Sequence, residues 1–150
     1  MQTNRYDDLL MAVEDDLQAR GLEPIILDTM PLKENSGLAG VTSIKGDKVY
    51  IFIDKTLSTF EKAETLVEEY FHALFDLGNI LDYESARAHN NEINARENVL
   101  TYMTSLEEIQ AVAADYPDEP LAGWMLTERF GYPLTFSDET LRYYQRRGML

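Results

Sequence analysis

Five consecutive residues, Glu68, Glu69, Tyr70, Phe71 and His72, bring two carboxylates together with one of the chain's two imidazoles. On a helix, Glu68 and His72 emerge about 40° apart on one face and can grip the same ion, while Glu69 is rotated to address whatever that ion binds. Zn²⁺ accepts carboxylate oxygen as well as imidazole nitrogen at similar distances, so the pattern suits a metal site. A carboxylate in place of an imidazole leaves the ion less positive in effect and its water less acidic. The competing interpretation is a solvated acidic face, with Glu68 and Glu69 in water and His72 partly packed.

A second position bears on that choice. Glu92 falls on the same helical face as Ala88, Ala95, Val99 and Met103, a stripe that should be buried. A carboxylate there is expensive unless something positive meets it, and the candidates are a metal or Arg96 one turn later. His89, three residues before Glu92, is close enough to be an alternative ligand, or it faces solvent in an Asn-rich first turn.

Composition narrows the setting. The 150 residues are 45% hydrophobic, enough for a real core. Twenty-seven Asp and Glu against thirteen Lys and Arg give a formal charge of −14. Such a field repels phosphates, so direct nucleic-acid binding is not expected. The absence of cysteine excludes disulfides, thiolate zinc sites and Cys nucleophiles. The acidic N-terminal stretch MQTNRYDDLL is unlike a secretory signal, and no apolar run approaches the roughly 18 residues of a membrane span. A cytoplasmic protein without membrane association is the expectation.

The elements that must position these residues follow from periodicity. Tyr6, Leu9, Leu10, Val13 and Leu17 recur at helical spacing before Gly21. Residues 24–27 suit a short edge strand, and 31–37, rich in Pro, Asn, Ser and Gly, suit a loop. The β-rich runs 38–44 and 49–53 flank a Gly-containing turn and predict an antiparallel hairpin, with Val49, Ile51 and Ile53 on one face. Ser58 followed by Glu61 is a capping-box signature that opens a long helix over about 59–76, with Phe60, Ala63, Val67, Phe71 and Leu74 as its apolar stripe. A second long helix is predicted over about 84–103, a further turn or two over 106–112, and two short helices over 119–130 and, after a Ser137 cap, 138–147. The fold class predicted is α+β: a small antiparallel sheet packed on helices, with 59–76 and 84–103 in mutual contact, in one domain spanning 1–150.

The motifs resemble a known family. Glu68-Glu69-Tyr70-Phe71-His72 is similar to the HExxH helix of zincins with Glu for the first His. Together with Asn91-Glu92-Ile93-Asn94-Ala95-Arg96 it resembles the ImmA/IrrE-type metallopeptidases of phages and integrative elements, whose Gram-positive phage branch often reads Ala-Glu-Glu-Leu-Gly-His and then Gln-Glu-x-x-Ala-Arg. Residues 49–54, Lys55-Thr56-Leu57-Ser58, Glu61-Lys62-Ala63 and Gly78-Asn79-Ile80 resemble the neighbouring segments of that family, and the similarity covers about 38–147. The resemblance implies a zincin-like fold, zinc held by Glu68, His72 and Glu92, and Glu69 as general base toward the water at the metal. It also implies a protein partner, a helix-turn-helix repressor whose inactivation releases a mobile element in a bacterial cell. Val67 and Phe71 depart from the small residues common beside the motif.

Two functions remain open on sequence alone. One is a zinc peptidase acting on a repressor. The other is an acidic module that captures the repressor without cutting it, its charge imitating DNA toward a basic domain. A third interpretation, the helices of 121–130 and 138–147 as a DNA-reading helix-turn-helix with Arg142, Arg146 and Arg147, is opposed by the surrounding charge.

Overall fold

The computed structural model describes residues 4–79 and 95–150. Two compact units divide the chain, Met1–Arg96 and Glu97–Leu150.

The first unit opens with α1 (Arg5–Ala19), capped by the Asn4 side chain, which accepts the Asp7 N–H. Tyr6, Leu9, Val13 and Leu17 are its buried face, as the spacing predicts, while Leu10 of the predicted stripe is only half-buried. Strand β1 (Glu23–Met30) and a short helix α2 (Leu32–Ser36) follow, then β2 (Gly40–Lys45), β3 (Lys48–Asp54) and α3 (Thr59–Asn79). The sheet order is β1-β3-β2. Strands β2 and β3 form the predicted antiparallel hairpin, closed by Gly46 and Asp47, and Gly46 takes φ 64°, which glycine alone tolerates easily at the first position of such a turn. Strand β1, however, pairs with β3 in parallel, Glu23 opposite Lys48 through Leu27 opposite Phe52. The sheet is therefore mixed rather than antiparallel, and 32–36 is a helical turn where a loop was expected.

Val49, Ile51 and Ile53 are fully buried, whereas Tyr50 and Phe52 stack on the opposite face of the sheet at 6.2 Å. Helix α3 opens on the predicted box: the Ser58 N–H donates to Glu61 Oε1 at 3.0 Å and the Glu61 N–H to Ser58 Oγ at 3.1 Å. Its buried apolar residues are Ala63, Leu66, Val67, Tyr70 and Ala73, a stripe turned from the predicted one, so Phe60, Phe71 and Leu74 lie only at its margin.

Polar ties pin the helices to the sheet. Tyr6 donates to Asp28 at 3.0 Å, and Lys62 lies 3.4 Å from the same Asp28 oxygen, joining α1, β1 and α3. Burial, with Asp28 beside it, pushes the Tyr6 phenol well above its usual range. Tyr70 donates to Asp16, which also pairs with Arg20.

Asp54 ends β3 as a fully buried carboxylate, accepting the Thr56 hydroxyl, the Lys33 N–H at 2.9 Å and the Thr56 N–H at 3.0 Å. Those donors, the Thr56 hydroxyl foremost, hold its pKa below the usual carboxylate value. A carboxyl depressed in the fold adds stability above its unfolded pKa and loses it as pH falls through the folded one. Asp54→Asn should accordingly lower Tm clearly at pH 7, and its deficit against the wild type should shrink below pH about 4, the ordinary Asp value. Thermal melts of the two proteins across that range provide the check.

In the second unit, the helical residues 95–103, labelled α4, cross the division, with Arg96 on one side of it and Glu97 on the other. Of the predicted helix over 84–103 only this part lies within the described residues. Helices α5 (Leu106–Ala114), α6 (Gly123–Phe130) and α7 (Leu134–Arg146) complete the unit. Helix α5 has its own capping box from Ser105 and Glu108. Helix α7 begins after Pro133, earlier than expected, and Ser137 is not its cap: it is buried inside the helix and shares a hydrogen bond of 2.9 Å with Thr127. The core is tied by tyrosines, Tyr132 donating to the Met103 carbonyl at 2.9 Å and Tyr144 to the Thr104 carbonyl at 2.8 Å. None of the helices among the described residues is long and apolar enough to cross a membrane.

Candidate functional site

Glu68, Glu69 and His72 all lie on α3, so helical spacing alone sets Glu68 and His72 one turn apart on a common face. His72 is exposed; Glu68 and Glu69 are half-buried. Glu92 and His89 lie outside the described residues. Among the described residues no three His, Asp or Glu side chains converge as a metal-binding group.

Glu69 is held from the sheet. In the β2–β3 register Gly40, Thr42 and Ile44 stand opposite Ile53, Ile51 and Val49, the strand residues buried against the helical layer. That face of β2 meets α3. The Thr42 hydroxyl lies 2.8 Å from Glu69 Oε1 and 3.1 Å from the Glu69 carbonyl, and its single proton can serve the carboxylate. Gly40 makes the approach possible. A Cβ there would sit 2.6 Å from Thr65 Cγ2 and 2.9 Å from Glu69 Cγ. Gly40→Ala should therefore destabilise the chain by about 1–3 kcal/mol through overpacking, measurable by urea unfolding.

Glu68 sits in a different environment. Arg96 Nη1 donates to Glu64 Oε2 at 2.7 Å and lies 3.9 Å from Glu68 Oε1. The sequence offered Arg96 as a partner for Glu92, which lies outside the described residues; the contacts with Glu64 and Glu68 place Arg96 against α3 as well. Partial burial, then the neighbouring Glu64 charge, raises the Glu68 carboxyl above its usual range, while Arg96 and His72 act the other way. A carboxylate whose charged form is disfavoured by its surroundings gains from a cation placed against it. With an imidazole one turn on, Glu68 and His72 fit zinc in kind, as an oxygen and a nitrogen donor sharing one helix face.

Thr42 and Gly40 were not singled out from the sequence, although a glycine inside a strand is a known mark of close backbone approach. No protein-family model, no curated protein and no solved structure compared with this chain matches it.

Proposed function

We propose that this chain is a zinc-dependent metallo-endopeptidase of the ImmA/IrrE type, zincin-like in fold, from a phage or integrative element, and that it inactivates a helix-turn-helix repressor by cleavage in the bacterial cytoplasm. The observation that carries this reading is the seating of Glu69: a half-buried carboxylate oriented by Thr42 and admitted by Gly40, beside a Glu68 and His72 pair with the donors zinc takes. A surface that only binds has no need of a carboxylate so restrained.

Glu68, His72 and Glu92 would hold the ion. Bound by them, zinc would supply an acidified water and polarise the scissile carbonyl. Glu69 takes the proton of the attacking water and returns it to the leaving amine. Thr42 engages one oxygen of that carboxylate and leaves the other for the proton transfer. Among the described residues strand β2 is an edge of the sheet, so an extended segment of substrate laid along it would run past Glu69. The charge of −14 draws the chain toward a basic DNA-binding domain.

That same charge, and the engagement of Glu64 and Glu68 by Arg96, favour a second reading: an acidic module that captures the repressor intact. Elemental analysis of protein purified without added metal, paired with a gel of a repressor encoded beside this chain, separates them. Stoichiometric zinc and a shortened repressor support the peptidase. An intact repressor released from its DNA by metal-free protein overturns it.

A further inference from the structure

The chain's single tryptophan is on the surface. Trp124 stands in the first turn of α6 and is 41% exposed, while its neighbours Met125 and Leu126 are buried, so the indole points away from the core they fill. Tyr116 meets it edge to face, with ring centroids 5.2 Å apart. The Tyr116 hydroxyl donates at 3.1 Å to Oε2 of Glu128, one turn along α6 from Trp124. A turn over residues 116–119, closed by the Glu119 N–H on the Tyr116 carbonyl at 3.2 Å and with Pro117 in its second position, steadies the phenol. An edge-to-face pair covers at most one face of one ring, so π surface remains open.

The charge around this pair has one sign. Between Glu97 and Glu128 the sequence holds no Lys or Arg, and Arg129, the first to follow, is paired with Asp115. The bond to Glu128 foremost, then burial and the charges of Glu128, Asp115 and Glu119, raises the Tyr116 phenol above its usual range, the mark of a negative field at this corner. Aromatic faces beside carboxylates suit a guanidinium, which stacks on a ring and donates its in-plane N–H groups to carboxylate oxygen. The same unit already contains such a stacking, with Arg147 lying 5.5 Å over the Tyr143 ring.

We infer that the corner formed by Tyr116, Trp124 and Glu128 docks an arginine side chain presented by a basic segment of a partner protein. The overall charge of −14 draws such a segment in, and this corner gives it a defined place to bind. The inference stands apart from the peptidase reading, because no residue of the corner belongs to α3 or to the proposed ligand set.

The test uses the full-length protein and a short peptide of arginine and serine, with a citrulline counterpart that keeps the shape of arginine without its charge, at about 0.15 M salt. Emission of Trp124 reads contact of the unlabelled peptide with the wild type, and anisotropy of a labelled peptide reads affinity for every variant. Trp124→Leu should weaken binding about fivefold, the size of a cation–π contact at a partly exposed site. Glu128→Gln keeps an acceptor for the Tyr116 hydroxyl and should weaken it about threefold. Glu107→Gln removes the same charge at the opposite end of α5 and should leave it unchanged. Saturable binding of the arginine peptide that alters Trp124 emission and follows this order supports the inference. Absent binding, equal binding of the citrulline peptide, or equal losses in Glu128→Gln and Glu107→Gln with none in Trp124→Leu overturns it. Trp124 emission that changes with protein concentration alone overturns it in favour of a second copy as the occupant. Circular dichroism verifies folding, and the comparison of Glu128→Gln with Glu107→Gln decides should Trp124→Leu not fold.

Discussion

Replacement of His72 by alanine is expected to abolish zinc binding. In the proposed set Glu68, His72 and Glu92, His72 is the single nitrogen donor, and its loss leaves two carboxylates for an ion that structural and catalytic sites hold with three or four protein ligands. Because His72 is exposed on α3, the substitution removes no core packing, so folding and metal affinity should separate cleanly. Calorimetry with zinc against a circular-dichroism control reads both. Unchanged affinity in His72→Ala would remove His72 from the site, and a loss confined to His89→Ala would transfer the imidazole role to His89.

The second large effect concerns turnover. Glu69→Gln keeps the size of the side chain and its bond from the Thr42 hydroxyl, yet removes the base. Cleavage of the repressor should fall by roughly 10²- to 10⁴-fold while metal and partner binding persist. Wild type and variant are compared at matched metal by repressor length on a gel and by DNA release in the same reaction. Cleavage by the wild type alone excludes simple capture; release of intact repressor by both proteins excludes proteolysis.

What could be read from residues alone tracks how local each cause is. The Ser58 and Glu61 box and the hairpin around Gly46 depend on contacts only a few residues apart, and both are realised. The parallel placement of β1 depends on partners some 25 positions away, such as Glu23 and Lys48, and no local pattern encodes it. The start of α7 went to Pro133 rather than Ser137 because Ser137 finds its partner, Thr127, on another helix. At the candidate site, Glu68, Glu69 and His72 stand out by residue type and spacing. The Thr42 and Arg96 contacts do not, because each brings together residues 27 to 32 positions apart in the chain.

The two-residue turn at Gly46 and Asp47 also decides which side chains ever meet Glu69. Side chains alternate along β2, so one residue gained or lost in that turn would reverse the strand's faces. Gly40 and Thr42 would swing to the far side, and Val41 and Ser43 would be presented to α3 instead. Valine donates nothing, and its branched Cβ would enter where Gly40 now leaves room. The seating of the carboxylate thus depends on loop length a whole strand away, so this turn cannot absorb a one-residue insertion without giving up that seating, even while the sheet stays paired.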